Sequence, residues 1–599
     1  MALIVQKYGG TSVGSVERIQ AVAQRVYKTV QAGNSVVVVV SAMGKTTDGL
    51  VKLANDISKS PNRREMDMLL STGEQVTIAL LSMALQEIGQ PAISLTGAQV
   101  GIVTEAEHTR ARILHISTER LMGQINQGKV AVVAGFQGIS NTTEIEITTL
   151  GRGGSDTSAV ALAAALGADF CEIYTDVPGI LTTDPRLVPE AQLMTEITCN
   201  EMLELASLGA KVLHPRAVEI ARNYGVPLVV RSSWTDQPGT WVTSAKVQER
   251  ALVDLELARP VDAVEFDVNQ AKLSLLRVPD RPGVAARLFG EISEQNVDVD
   301  LIIQSIHEGN SNDIAFTVNT AILSRAEAVA LAIAPALRHQ ANSDEAEVLV
   351  ENNSAKVSIS GAGMIGRPGV AAKMFATLAE ARVNIQMIST SEVKVSCLVD
   401  QDDCDRAVSA LCDAFEISAT PVIPQISNSE SPAVRGVALD MNQARLAIRQ
   451  VPDQPGMAAK LFGLLAEYNI SVDMIIQSQR CHLIDGVPRR DIAFTVARMD
   501  AENAQQKLKE TAEQLGWGEV ILDRAIAKVS IVGSGMVGQP GTAAKMFNAL
   551  AENHINIQMI TTSEIKVSCV VAENEGVKAL QVIHDAFGLA GNEKFVVPS

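Results

Sequence analysis

The chain has 599 residues, 47% of them hydrophobic and 20% charged, so it is expected to fold throughout and to divide into several domains rather than one core. A net charge of −18 argues against general binding to nucleic acid or to an anionic membrane, and a small anionic substrate would need a locally basic pocket. The seven cysteines are scattered, odd in number and without zinc-site spacing, which reads as reduced thiols in a cytoplasmic protein with no metal held by side chains.

The amino terminus, MALIVQKYGG, reaches Lys7 after an apolar run too short for a signal peptide, and stretches such as Ala159 to Leu166 fall well short of a membrane span. From Ala2 to about Ser232, the short apolar runs Leu3 to Val5, Val36 to Val40, Val130 to Ala134 and Phe170 to Tyr174 alternate with segments of helical period. Runs such as VVVVV are apolar on both faces, as in a parallel sheet covered by helices on each side. Residues 1–235 therefore read as a three-layer α/β/α domain.

Four loops in this domain carry chemistry. Lys7, Tyr8, Gly9, Gly10, Thr11 and Ser12 end the first strand and lead into a helix, where free N–H groups, close backbone approach and a cation suit a phosphate. Alone, this reads first as an ordinary strand-to-helix turn. A second glycine-rich loop before a helix, TTLGRGGSDTSA from Thr148 to Ala159, holds Arg152 and Asp156 and makes chance a poorer account. Ser41 follows the strongest buried strand, at the carboxyl end where α/β sheets hold ligands. YTDVPGILTTDPR, Tyr174 to Arg186, is a turn-rich loop after another buried strand, suited to gripping a nucleotide or simply crossing the surface. STGEQ, Ser71 to Gln75, sets Glu74 in an otherwise apolar helical stretch; Lys211 adds a cation, and His214 beside Pro215 reads as structural. No GxxxxGK[ST] occurs, which leaves a P-loop ATPase without support.

The second half is a repeat. Arg277 to Ser305 recurs 173 residues later as Gln450 to Ser478, and Val357 to Cys397 recurs 172 residues later as Val529 to Cys569. Within each copy a Pro-Gly pair recurs, Pro282-Gly283 as Pro368-Gly369 and Pro455-Gly456 as Pro540-Gly541. Four α+β units follow, at 262–342, 343–425, 434–515 and 516–599, with an exposed linker at Pro424 to Ala433. GAGMIG from Gly361 and GSGMVG from Gly533 fit a dinucleotide fingerprint. The sister loops VPDRPG and VPDQPG lack it, a proline stands where the helix begins, and no acid suited to a ribose ends the next strand.

KYGGTS, VVVVVSAMG, STGEQ, TTLGRGGSDTSA, YTDVPGILTTDPR and LELASLGAKVLHPRA, in this order, resemble the aspartate kinase branch of the amino acid kinase family over essentially all of the first 230 or so residues. The resemblance implies ATP with Mg2+ and no tightly bound organic cofactor. It further implies that Lys7 contacts the transferring phosphoryl group, that Gly9, Gly10 and Ser41 hold phosphates, and that Thr175, Asp176, Arg186 and Lys211 surround the nucleotide. Thr47, Glu74 and Arg152 would bind L-aspartate, and Asp156 would organise the catalytic lysine. STGEQ and GRGGSDTSA favour aspartate over another acid or carbamate as the acceptor.

The repeated half resembles ACT domains, ferredoxin-like amino-acid-sensing units that pair side by side. Four units, where aspartate kinases commonly carry two, leave the number of sites and the packing of the second pair open. The resemblance implies a homodimer formed through ACT domains and feedback control by lysine, threonine or both. Only the first unit of each copy has an acid in its Pro-Gly loop, Asp280 or Asp453. Two effector sites, one per copy, are therefore expected, around Asp280, Gly283, Ala285 and Gln304 and around Asp453, Gly456, Ala458 and Gln477, and the resemblance places Asn384 and Asn556 across the paired interface. A non-catalytic amino-acid sensor would explain the repeats but not Lys7, Arg152 and Asp156 in intact motifs.

Overall fold

The computed structural model describes residues 1–208, 212–244, 252–256, 259–306, 311–337, 346–364, 367–422, 432–591 and 594. Its described residues divide into two compact units, one within 1–181 and 191–256, the other within 182–190 and 259–591.

The first unit opens with β1 (Leu3–Tyr8), α1 (Val16–Gln31), β2 (Ser35–Val40), α2 (Thr46–Ile57), α3 (Arg63–Leu70), α4 (Thr72–Glu87) and β3 (Ala92–Leu95). A small sheet, β4 (Ile102–Thr104), β5 (Ile113–Ile116), β7 (Gln137–Ser140) and β8 (Ile147–Thr149), brackets α5 (Glu119–Ile125) and β6 (Val130–Ala134). Then come α6 (Gly154–Leu166), β9 (Phe170–Thr175), β10 (Glu196–Thr198), α7 (Cys199–Ser207), α8 (Pro215–Tyr224), β11 (Leu228–Ser232) and β12 (Thr240–Thr243). The main sheet runs β10-β12-β11-β9-β1-β2-β6-β3, and β11, β9, β1, β2, β6 and β3 are mutually parallel. Alternation along β2 sends Val36, Val38 and Val40 into a core with α1 and α4. Val37 and Val39, equally buried, face the other way, and α6 packs on that second face against β1, β2 and β9. The three-layer expectation holds, with one apolar run serving two cores.

In the second unit, β13 (Ala263–Pro279), α9 (Val284–Glu294), β14 (Ile302–Ile306), β15 (Ser311–Asn319) and α10 (Leu323–Ile333) lead to β16 (Glu347–Ser360). After these come α11 (Val370–Glu380), β17 (Met387–Thr390), β18 (Lys394–Asp400), α12 (Cys404–Phe415) and β19 (Ala419–Pro421). The second copy has β20 (Gly436–Asp440), β21 (Gln443–Pro452), α13 (Met457–Glu467), β22 (Val472–Gln477), β23 (His482–Ile484), β24 (Val487–Ala497), α14 (Ala501–Leu515) and β25 (Val520–Asp523). It ends with β26 (Ile526–Val532), α15 (Thr542–Glu552), β27 (Met559–Ser563), β28 (Lys566–Ala572) and α16 (Gly576–Ala586).

The four α+β units are not cut cleanly along the chain. The opening of β13, Ala263 to Asp267, pairs with the end of β16, and β20 pairs with β26, so each copy's second unit takes an edge strand from upstream of its first. Pairing between copies is crosswise. The first unit joins the fourth through antiparallel β14 and β27 and through helices α9 and α15, with Phe289 and Phe547 at 5.5 Å. The second joins the third through α11 and α13, with Phe375 and Phe462 at 5.4 Å. Each pair shares one hydrophobic core.

The fingerprint glycines have a packing reason. A side chain at Gly361 or Gly533 would meet the carbonyl oxygen of Pro260 or Ala433 at 2.4 or 2.3 Å, so glycine permits the segment before the first strand to lie against the loop. Ile365 and Gly366 of that motif, and most of the expected linker, lie outside the described residues.

Two helical stretches, Arg63–Glu87 and Thr320–Leu337, are long and apolar enough by composition to cross a membrane, which the sequence reading did not anticipate. The first is α3 and α4, where Leu70, Ile78, Leu81 and Leu85 are buried. In the second, Ala326, Ala330 and Ile333 join the shared core of the first and fourth units. The seven cysteines are unbridged, and burial raises the thiol pKa of Cys171, Cys199, Cys397, Cys404 and Cys569.

Candidate active site and sensing sites

Because the central strands are parallel, the loops after β1, β2, β6, β9 and β11 open on one rim of the sheet, the usual ligand side of such folds. Strand alternation decides what β1 presents there. Tyr8 enters the α1/α4 core, stacked on Tyr174 with centroids 4.6 Å apart. Lys7 therefore points to the α6 face, where its Nζ lies 2.6 Å from Oδ1 of Asp156, in the first turn of α6. Both side chains are 12% exposed, so the pair is sheltered but reachable.

Gly9 and Gly10 follow β1 directly. A Cβ on Gly10 would stand 2.9 Å from the Ala42 carbonyl, and the Gly10 carbonyl accepts the Gly44 N–H at 3.0 Å, so the loops after β1 and β2 interlock through backbone alone. The Ser41 N–H donates to Tyr8 O at 3.1 Å. Next to it, the Ala42 N–H donates at 3.1 Å to Oε1 of Glu74, in the first turn of α4. Glu74 is 3% exposed and its Oε2 has no partner. Burial, only partly offset by backbone N–H donors, raises its pKa to about 7. A buried carboxylate with one unused oxygen is suited to an incoming ammonium.

Thr47 is half-buried in the first turn of α2. Arg152 is exposed, between Gly151 and Gly153 with φ of 77° and 69°, a turn that puts a long cation just before α6. Thr175 ends β9 and its hydroxyl donates to Asp176 at 3.0 Å. Arg186 pairs with Asp184 at 2.6 Å and belongs to segment 182–190, which packs in the second compact unit. Lys211 lies outside the described residues. The side-chain contacts thus join Lys7 to Asp156 and Thr175 to Asp176, while Thr47 and Arg152 are placed by their elements alone.

A family model described as the amino acid kinase family matches residues 2–232. Two ACT domain models match residues 273–334 and 446–513, and 357–415 and 529–587. The chain is 51% identical over 420 residues to the aspartokinase of Pseudomonas aeruginosa, covering 70% of this chain and 98% of that protein. It is also 51% identical to aspartokinase 2 of Bacillus subtilis, covering 70% of this chain and 99% of the other. The chain belongs to the aspartokinase family. It is also similar along its whole length to a crystal structure of the aspartate kinase from Synechocystis, at 66% identity and a TM-score of 0.88, with both chains fully covered. It is thus an aspartate kinase with four ACT-type units.

Several supports of this kinase site carry no legible sequence signal. Asp67 on α3 is fully buried and accepts from Thr149 Oγ1 at 2.5 Å and from the Thr109 N–H at 3.0 Å, with His108 Nδ1 at 2.8 Å. It pins the strand that leads into the Arg152 loop. Arg216 holds the same loop from α8, donating to the Leu150 carbonyl and pairing with Glu256 at 2.7 Å. His214 is the N-cap of α8, accepting from the Arg216 N–H, and burial lowers its pKa, which agrees with its structural reading. Across the rim, Ser233 Oγ donates to Thr175 O at 2.8 Å and lies 2.7 Å from Ser12 Oγ. A serine or aspartate in such a segment looks like any surface polar residue until its partner, 41 or more residues away, is known.

In the ACT half, Asn556 Nδ2 donates to Asp280 Oδ1 at 2.8 Å across the pairing of first and fourth units. Gly283, Ala285, Gln304 and Asn556 line one narrow crevice there. Gln304 is already engaged, its Nε2 donating to Ile557 O at 2.8 Å. The equivalent crevice between second and third units is lined by Asn384, Asp453, Gly456, Ala458, Gln477 and Arg490. The two differ in charge: Arg490 Nε lies 2.7 Å from Asp453 Oδ2, whereas the matching Asn312 donates to Asp280 at 3.1 Å. The fourth unit's Pro-Gly loop, without an acid of its own, lines a cavity of about 770 Å³ together with Asp298 and Glu564.

Proposed function

We propose that the chain transfers the γ-phosphoryl group of ATP to the side-chain carboxylate of L-aspartate, giving 4-phospho-L-aspartate. That reaction opens the biosynthesis of lysine, threonine and methionine. The observation that carries the reading is the sheltered Lys7–Asp156 pair at the rim where two glycine-rich loops open. Aspartate, with a reference pKa of about 3.9, reaches the site already ionised, so the nucleophile needs no general base. Catalysis then rests on alignment and on neutralising charge. Lys7, kept extended by Asp156, meets the oxygens of the transferring group, and backbone N–H groups after β1 and at the start of α6 take the phosphates. Ser41, Thr175, Asp176, Arg186 and Lys211 complete the nucleotide site. Glu74 takes the aspartate ammonium, Arg152 its α-carboxylate and Thr47 a further contact.

Among the described residues no group of three or more His, Cys, Asp or Glu side chains is arranged to hold a metal ion. Magnesium that arrives on ATP needs no such cage, because it keeps phosphate oxygens and water as ligands. When bound, it neutralises phosphate charge. The decisive assay is hydroxylamine trapping with ATP and magnesium. Aspartyl hydroxamate should form and glutamyl hydroxamate should not; folded protein that yields neither overturns the reading.

Feedback by lysine, threonine or both would act at the two crevices, in a cytoplasmic homodimer assembled through its ACT units. In each crevice the aspartate would take an effector ammonium and the start of α9 or α13 its carboxylate. Asp280→Ala and Asp453→Ala should each weaken inhibition while leaving uninhibited turnover intact, by on the order of 1 to 3 kcal/mol of coupling apiece. Calorimetric titration of the double variant with lysine and threonine checks the placement. Undiminished binding would put the effectors elsewhere.

A further inference from the structure

The loop read as nucleotide-binding does not end within the kinase unit. Its first part is closed at a neck, where Leu181 bridges to Leu193 and the Ile180 N–H donates to Thr240 Oγ1 at 2.8 Å. Between the sides of that neck, residues 182–190 leave as a nine-residue excursion and pack inside the second compact unit. Thr182 and Thr183 are 5% and 6% exposed, and Val188 enters the core that the first and fourth ACT units share.

The contacts of this strap centre on α16. Thr182 Oγ1 donates to the Leu589 carbonyl at 3.0 Å and lies 2.9 Å from Nε2 of His584, which is fully buried. A hydroxyl has one proton, so with that proton on Leu589 the imidazole is the donor at Nε2. Nδ1 is then the bare nitrogen, and it has no partner, as suits a neutral ring. The backbone adds three ties: Val437 N to Thr182 O at 2.8 Å, Gln581 Nε2 to Leu187 O at 3.1 Å and Gly591 N to Glu190 O at 2.7 Å. A surface loop has no need of a buried imidazole and a share of a distant core.

We propose that the Thr182–His584 contact is a positioning anchor through which the fourth ACT unit sets the geometry of the loop from Tyr174 to Arg186, and with it the affinity for ATP. The proposal rests on the reading of that loop as nucleotide-binding. Thr182 and His584 do not touch the nucleotide. They hold one end of a short segment whose other end is Thr175 and Asp176, and a shift of α16 pulls on that segment within a few residues of the ligand.

The test is steady-state kinetics on the full-length chain, with ATP and aspartate varied separately. Thr182→Val keeps the volume and removes the hydroxyl's bonds to Leu589 and His584; it should raise the ATP KM about ten-fold, the scale of those lost neutral hydrogen bonds, and leave the aspartate KM unchanged. Thr182→Ser, which keeps the hydroxyl, should restore the ATP KM. Gln581→Ala, at an exposed position that cannot unfold the core, should raise the ATP KM by a smaller factor. An ATP KM unchanged in folded Thr182→Val, or an equal rise in both KM values, overturns the anchor. Asp176→Ala separates the two readings: an unchanged ATP KM there overturns the nucleotide loop and the anchor together, whereas a raised one beside a normal Thr182→Val overturns the anchor alone.

Discussion

Lys7→Ala is expected to lower kcat by roughly 100- to 1,000-fold, the scale for removing one preorganised donor to transition-state charge. The loose phosphoryl transition state spreads negative charge over the transferring oxygens, and a cation that meets more charge there than in the ground state is lost mainly from kcat, with both KM values changing little. The geometry makes a second demand. Asp156 lies 2.6 Å from Lys7 in a sheltered site, and truncating the lysine leaves that carboxylate beside the incoming phosphates. Asp156→Asn combined with Lys7→Ala should therefore be no worse than Lys7→Ala alone, since the two act as a unit. Turnover near normal in Lys7→Ala would make the lysine a turn residue and remove the basis of the mechanism.

Glu74→Gln should raise the aspartate KM by roughly 10- to 100-fold, the worth of a charge-assisted bond to an ammonium, with little change for ATP. Its pH dependence is the sharper result. Burial holds the carboxyl near pKa 7 without substrate, so the ionised form that an ammonium requires is lost as pH falls through about 7. The aspartate KM of the unaltered enzyme should rise over that range, and Glu74→Gln should be flat there. Stability carries the opposite sign. The folded pKa lies above the unfolded one, so the folded state binds the proton more tightly, and stability declines as pH rises from about 4.5 to about 7. Above pH 7 the ligand-free enzyme carries the full cost, on the order of 2 to 4 kcal/mol, which aspartate relieves on binding. Glu74→Gln should melt higher than the parent at pH 8 without aspartate and gain less from adding it. A pH-independent aspartate KM in the parent would mean that Glu74 does not meet the ammonium.

The candidate loops were legible because the phosphate binding proposed for them would constrain local sequence: glycines where the backbone must approach closely, a lysine at a strand end, an acid in a helix's first turn. Lys7 and Asp156 meet across 149 positions because alternation along β1 and the first turn of α6 leave both on one face, and a local pattern carries that much. Asp67, Arg216 and Ser233 were not legible, since each works by reaching a backbone group or side chain far along the chain, and nothing in its neighbours marks the target.

The sequence by itself determined the three-layer kinase domain, its glycine-rich loops and the duplication of an α+β unit, because strand burial, glycine placement and repetition are written in local order. Only the tertiary structure decided that the first unit pairs with the fourth and the second with the third. The four helices are similar enough in sequence that each could face several partners, and the shared cores select among them. It likewise decided that Asp453 is met by Arg490 while Asp280 is met by Asn312, and that nine residues of the kinase sequence pack with the ACT units through Thr182 and His584. A buried polar contact is worth having only where desolvation is already complete, and that condition depends on the assembled core.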